Sequence, residues 1–233
     1  MRNRRRAAAY KTFIIATLLL LAIGRGAAGQ GKAGTGERFA IAQIHYGGGG
    51  DWYEDRTSMV RLQERLRQEL GLTVESEPKF IKLTDEDLFS YPMIYMTGHG
   101  NVFFTPEEAA KLRTYLERGG FLWANDDYGM DEAFRREMKK VFSDTEFVEL
   151  PFDHSIYRTP YEFPNGSPKI HEHAGGSPHC YAIFIDKRMV VFYDFNTDIG
   201  DGLEAPEIHN DPPEKREQAF SLAVNIVFHV LSQ

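Results

Sequence analysis

One cysteine, Cys180, stands among 233 residues. A lone thiol leaves no internal disulfide, so the folded part must be held by its core. The signatures of serine and zinc hydrolases are missing as well: there is no G-x-S-x-G elbow and no H-E-x-x-H pair. Glycines run from Gly47 to Gly50 but fit no nucleotide loop. Counting G-x-G-x-x-G from Gly47 puts Trp52 at the third glycine, and counting from Gly48 puts Tyr53 there. No Lys-Ser/Thr pair comes after it, as a Walker loop requires. A turn that lets the chain leave a strand accounts for the run without a phosphate.

Positive charge is also scarce where it would matter. The chain has 27 Lys and Arg against 34 Asp and Glu, a net charge of −7. Residues 1–29 hold six of those cations (Arg2, Arg4, Arg5, Arg6, Lys11, Arg25) and no acid. The remainder carries 21 against 34, a net charge of −13. Such a chain lacks the basic footprint of a nucleic-acid binder, and anionic lipid would repel it.

The amino terminus has the three parts of a secretory signal peptide. A cluster of arginines precedes the apolar run Phe13–Ile23, and Gly24–Gln30 is rich in small residues. Cleavage after Ala28 or Gly29 leaves small residues at −1 and −3. The apolar run is shorter than the roughly 20 residues of a comfortable span. The expectation is export to the periplasm or beyond, with an uncleaved membrane anchor as the alternative. Residues 30–37 read as a linker, and 38–233 as one domain.

Within that domain, apolar runs and helical stripes alternate. Phe39–Tyr46, Pro92–Thr97 and Phe121–Ala124 read as buried strands. Helices are expected over Thr57–Leu70, Pro106–Arg118, Asp131–Phe142 and Glu214–Leu231. Thr105, Pro106 and Glu108 compose a capping box, and Gly71 suits a C-terminal cap. Leu72–Glu75 and Lys79–Leu83 read as short extended pieces. Tyr181–Ile185 and Met189–Tyr193 read as a hairpin, Pro151–Ser177 as a long excursion, and Asn196–Pro213 as an acidic loop. Alternating strands and helices predict an α/β fold with a mostly parallel sheet. Cys180 opens a buried strand and reads as core.

Ligands of such sheets bind beyond the carboxyl ends of the strands. Three loops qualify: Gly47–Tyr53, Gly98–Asn101 and Asn125–Gly129. His99, between two glycines, is either an acid–base group or a loop histidine bonded to backbone. Asp126 and Asp127 could orient it or hold a cation, and one of them could equally cap the next helix. Asp51, Trp52, Tyr53 and Tyr128 are candidate ligand contacts, with the aromatic rings able either to stack on a sugar or peptide or simply to pack. His154 could reach the same cleft from the excursion. His171-x-His173, near Asp153 and Glu172, is the nearest approach to a metal pair. The spacing assigns no metal and no cofactor.

The stretches FAIAQIHYGGGGDWY, PMIYMTGHG, TPEEAAKLRTYLERGGFLWANDDYG, LPFDHSIY and TDIGDG resemble the DUF4159 family, a bacterial domain of unknown function. The resemblance spans about Arg38 to Ser232. It implies the fold of class I glutamine amidotransferases, a flavodoxin-like three-layer sandwich. The nucleophilic cysteine of those enzymes sits on a strand-to-helix turn. The turn here that looks closest, Asn125–Gly129, has none. The resemblance transfers no catalytic residue. Two functions are therefore expected to compete. One is binding of a small ligand or an envelope protein in the cleft. The other is periplasmic hydrolysis by His99 with Asp126 or Asp127, with or without a metal.

Overall fold

Alternate residues of a strand face opposite sides of a sheet, and here both sides are apolar. A computed structural model describes residues 39–233. The leader at 1–29 and the linker at 30–37 lie outside the described residues. Seven strands form one sheet: β1 (Ile41–Ile44), β2 (Lys79–Ile81), β3 (Met93–Met96), β4 (Phe121–Asp126), β5 (Val148–Glu149), β6 (His179–Ile185) and β7 (Arg188–Phe195). Their order is β2-β1-β3-β4-β7-β6-β5. All neighbouring pairs from β2 to β7 are parallel; only β6 runs against its neighbours β7 and β5.

The helices are α1 (Ser58–Leu70), α2 (Pro106–Glu117), α3 (Asp131–Val141), α4 (Ile199–Leu203), α5 (Pro206–His209) and α6 (Pro213–Leu231). Ala42, Ile44, Ile94, Met96, Leu122 and Ala124 point to one face, where Leu112 and Leu116 of α2 and Phe134 and Met138 of α3 cover them. Ile41, Met93, Tyr95, Phe121 and Trp123 point to the other, beneath Leu62 and Leu66 of α1 and Leu222 and Ile226 of α6. The result is a three-layer α/β sandwich with two apolar cores. Among the described residues no helix is long and apolar enough to cross a membrane.

Local signals explain the elements. The Thr105 hydroxyl accepts the Glu108 N–H at 3.2 Å, and the Glu108 carboxylate accepts the Thr105 N–H at 2.8 Å. Such a cap is worth about 1 kcal/mol. Gly71 ends α1 in the left-handed conformation, at φ 67°. Asp186 and Lys187 form the left-handed turn between β6 and β7.

Two departures from the sequence-based expectation matter for the site. β7 reaches Phe195 and pairs with β4, so the hairpin strand is also a parallel strand of the sheet. The acidic loop holds α4 and α5. Gly202 lets α4 press on α6 and the excursion: a Cβ there would stand 2.6 Å from both the Ala219 Cβ and the Ile170 Cγ2.

Candidate functional site

The glycine run places Asp51 beside His99. The Asn101 side chain donates to the Gly48 carbonyl at 2.9 Å, and the Gly50 N–H donates to the Asn101 carbonyl at 3.0 Å. A Cβ on Gly50 would stand 2.6 Å from that carbonyl oxygen, which is why the chain there is bare. Asp51 then accepts twice from His99, from the backbone N–H through Oδ1 and from ring Nδ1 through Oδ2 at 2.9 Å. The carboxylate that orients His99 is thus Asp51, where the sequence pointed to Asp126 or Asp127.

Asp126 acts on the protein itself. Its Oδ1 accepts the Met130 N–H at 2.8 Å and its Oδ2 the Tyr193 hydroxyl at 3.3 Å, at the entry to α3. Burial raises its pKa to about 6. Asp127 points into the sheet ends instead. The Asn125 amide donates to its Oδ1 at 2.5 Å, and the Thr97 hydroxyl lies 3.2 Å from its Oδ2.

Four buried acids from three segments meet there. Asp55 precedes α1 with φ 54°, Asp127 comes just after β4, and Asp198 and Asp201 flank or belong to α4. Oxygens of Asp55, Asp127 and Asp201 all lie within 4.8 Å of one another. Tyr95 donates to Asp55 Oδ2 at 2.9 Å, and Thr97 reaches the same oxygen at 2.7 Å. The Thr97 hydroxyl has one proton and already receives the Asn125 amide at 3.1 Å, so it cannot serve Asp55 and Asp127 together. Asp55 Oδ1 and both oxygens of Asp198 have no hydrogen-bond partner, although these residues are only 2% and 1% exposed.

Crowding sets the electrostatics. Burial, then the charge of Asp201, pushes Asp55 up to about 7. Burial, then the charge of Asp55, pushes Asp127 well above the carboxylate range. Burial raises Asp201 to about 7, against the opposing pull of His171, and burial with the charge of Asp201 raises Asp198 to about 9. Such a cluster is satisfied only by protons or by a cation.

Imidazoles border the acids on the outer side. The excursion is tied down by the Ile170 N–H, which donates to the Thr197 carbonyl at 2.8 Å. It carries His173, whose Nε2 stands 3.3 Å from Asp201 Oδ2, and His171, whose Nδ1 stands 2.9 Å from Asp211 Oδ1. His209 Nε2 lies 3.4 Å from Asp201 Oδ1 and 3.5 Å from Glu204 Oε2. The ring of His173 is 4.8 Å from that of His171, 5.4 Å from that of His99 and 6.0 Å from that of Tyr128.

A family model described as a domain of unknown function, DUF4159, matches residues 40–231. The chain belongs to that family. No curated protein matches it. Of the candidates named from the sequence of this DUF4159 domain, the fold gathers His99, Asp51, Asp127, Tyr128, His171 and His173 into one cluster at the strand ends. Trp52, Tyr53 and His154 make their ring contacts outside that group. Trp52 stacks on His45 at 3.9 Å between ring centres, so one of its faces is taken by packing. Tyr53 is exposed beneath Arg56. His154 lies 5.6 Å from His229 near the carboxyl end of α6. The amino end of α6 is the one near the cleft, since Arg216 donates to the Glu204 carbonyl. The 13 residues between them rise about 20 Å.

Asp55, Asp198, Asp201, Glu204, His209 and Asp211 escape a reading of the sequence alone. Asp198, Asp201 and Glu204 are spaced by three, a pattern that in a helix would gather acids on one side. That spacing is the available signal. The single cysteine is no nucleophile of this cleft: Cys180 is buried in β6, where burial drives its thiol pKa far up.

Proposed function

We propose that this DUF4159 domain is a cation-dependent hydrolase working at the carboxyl ends of the parallel strands. Asp55, Asp127 and Asp201 hold a divalent cation, and His99, held by Asp51, is the base. One observation carries the reading: three buried carboxylates converge within 4.8 Å, and Asp55 Oδ1 has no donor. Hard oxygen donors of this kind suit magnesium, calcium or manganese. A divalent cation held there would supply Lewis acidity, and His99 Nε2 would take the proton of a water that attacks an ester, glycosidic or peptide carbon. The fold reading that accompanies this is an amidotransferase-like sandwich whose cysteine nucleophile has been replaced by the acid cleft. The leader adds that the substrate is met outside the cytoplasm.

The test uses the full chain. Titration with magnesium, calcium and manganese followed by calorimetry should give one cation site, lost in Asp55→Asn and Asp127→Asn. Chromogenic esters, glycosides and peptides then report turnover, which should vanish in His99→Ala while cation binding survives. Cation binding with no turnover of any class would replace the enzyme by a cation-dependent ligand-binding domain, for a small molecule or an envelope protein. No cation binding at all would overturn both.

A further inference from the structure

We infer that His171, His173 and Asp201 form a second metal site at the mouth of the cleft, one that selects zinc. Ligand atoms of these three residues lie within 4.8 Å of one another. His173 Nε2 and Asp201 Oδ2 are 3.3 Å apart, the edge length of a tetrahedron with bonds of about 2.05 Å, the zinc–nitrogen length. Tetrahedral ligands of one zinc ion stand about 3.4 Å apart, so closure from the 4.8 Å limit asks at most about 1.5 Å of movement at the rim. A water or a substrate atom completes four-coordination, the open arrangement of catalytic zinc.

A second, independent feature points the same way. Asp211 Oδ1 receives His171 Nδ1 at 2.9 Å, which makes Nε2 the His171 nitrogen with a free lone pair. A carboxylate behind an imidazole is the usual support of a metal ligand. The Asp211 side chain is only 6% exposed, and its Oδ2 has no hydrogen-bond partner. A buried, half-used carboxylate is costly unless the imidazole it holds gains charge or a metal.

The donor sets separate the two sites chemically. Two imidazoles and one carboxylate favour zinc, whereas Asp55 and Asp127 offer oxygen alone. Asp201 belongs to both: its Oδ2 faces His173 and its carboxylate closes the acid triad. The bridge rests on the hydrolase reading above, but the imidazole site does not. With both sites filled, Asp201 would bridge the two metals, the arrangement of two-metal hydrolytic centres.

The experiment is zinc binding by the full chain after chelation and dialysis, read by calorimetry and by metal analysis. The wild type should bind one zinc, and Asp55→Asn should leave it in place. His171→Ala and His173→Ala should each lose it, while magnesium or manganese binding persists. Asp211→Asn should weaken zinc by about 10- to 100-fold without removing a ligand. Cobalt substituted into the wild type gives a second readout that needs no variant, since tetrahedral nitrogen–oxygen ligation gives intense visible bands. Zinc retained at full affinity in the His171→Ala, His173→Ala double variant overturns the proposal, and so does cobalt with an octahedral spectrum. Zinc bound here with no cation at Asp55 and Asp127 would leave this site standing and remove the hydrolase reading.

Discussion

Asp51 holds His99 at two points, accepting the backbone N–H through Oδ1 and ring Nδ1–H through Oδ2 at 2.9 Å. The double grip fixes both the ring orientation and the tautomer, because a carboxylate accepts and the ring nitrogen facing it must carry the proton. Nε2 is then the basic nitrogen. In nitrogen-15 spectra of the imidazoles, His99 should therefore show a protonated Nδ1 and a bare Nε2. Asp51→Ala removes the grip and should mix the tautomers, with the fold retained. A wild-type His99 already protonated at Nε2 would remove it as the base.

The acid triad depends on a residue with no side chain. A Cβ on Gly200 would stand 1.9 Å from Asp55 Oδ2 and 2.5 Å from the Tyr95 hydroxyl. Those two groups are bonded to each other at 2.9 Å, and both are buried, so neither can swing away. Gly200→Ala should destabilise the domain by about 1–3 kcal/mol, the range for overpacking, and abolish cation binding together. Gly71→Ala is the control. Nothing lies within 4 Å of its Cβ, and only its left-handed backbone resists, at about 1 kcal/mol. Urea melts and calorimetry of both variants check this; equal cation affinity in Gly200→Ala and the wild type would refute it.

The fold is more legible in the sequence than the site, and the reason is range. Period and punctuation are local, so β1, β3, β4 and α1, α2, α3 can be read to within a few residues, as can the capping box at Thr105. The rule that ligands sit at strand ends then finds His99, Asp51 and Asp127. It misses the segment after β7, because pairing of β7 with β4 brings Asp126 beside Phe195, 69 positions away, and no local pattern records that. Asp55 is invisible for the same reason. Its burial depends on Gly200, and the stretch 198–211 looks like a solvated acidic loop until α4 is packed on α6. His171 and His173 are visible, but their partners Asp211 and Asp201 come from that same stretch.

One side chain of α6, Asn225, latches three backbone groups of the long excursion. Asn225 Nδ2 donates to the carbonyls of Ile156 at 2.7 Å and Tyr161 at 2.8 Å, and its Oδ1 accepts the Tyr161 N–H at 2.9 Å. Asn225 is fully buried. Asn225→Ala leaves three backbone groups without partners and should cost about 3 kcal/mol. Asn225→Asp keeps the acceptor and loses the donors, and it should not rescue. Denaturant melts measure the loss, and faster amide exchange at Tyr161 would localise it. A change under about 0.5 kcal/mol, the scale of ordinary surface substitutions, would show that the latch contributes nothing.

His229 gives a pH response that the cleft does not share. Burial, then the charge of nearby His154, lowers its pKa to about 4, and its Nε2 is buried without a partner. His154 is itself lowered by burial, with Asp153 pulling the other way. A base whose folded pKa falls below the ordinary value near 6.5 favours folding only while neutral. That stability is full above about pH 6.5 and is lost as the pH falls toward 4. His229→Gln carries no charge at any pH and should lose less. The raised carboxyls of the cleft favour the fold in acid, the opposite sign, but they are present in both proteins. The difference between the melting curves therefore isolates His229. It should change steadily in favour of His229→Gln from pH 7 to pH 4.5, and curves that stay parallel over that range would refute the assignment.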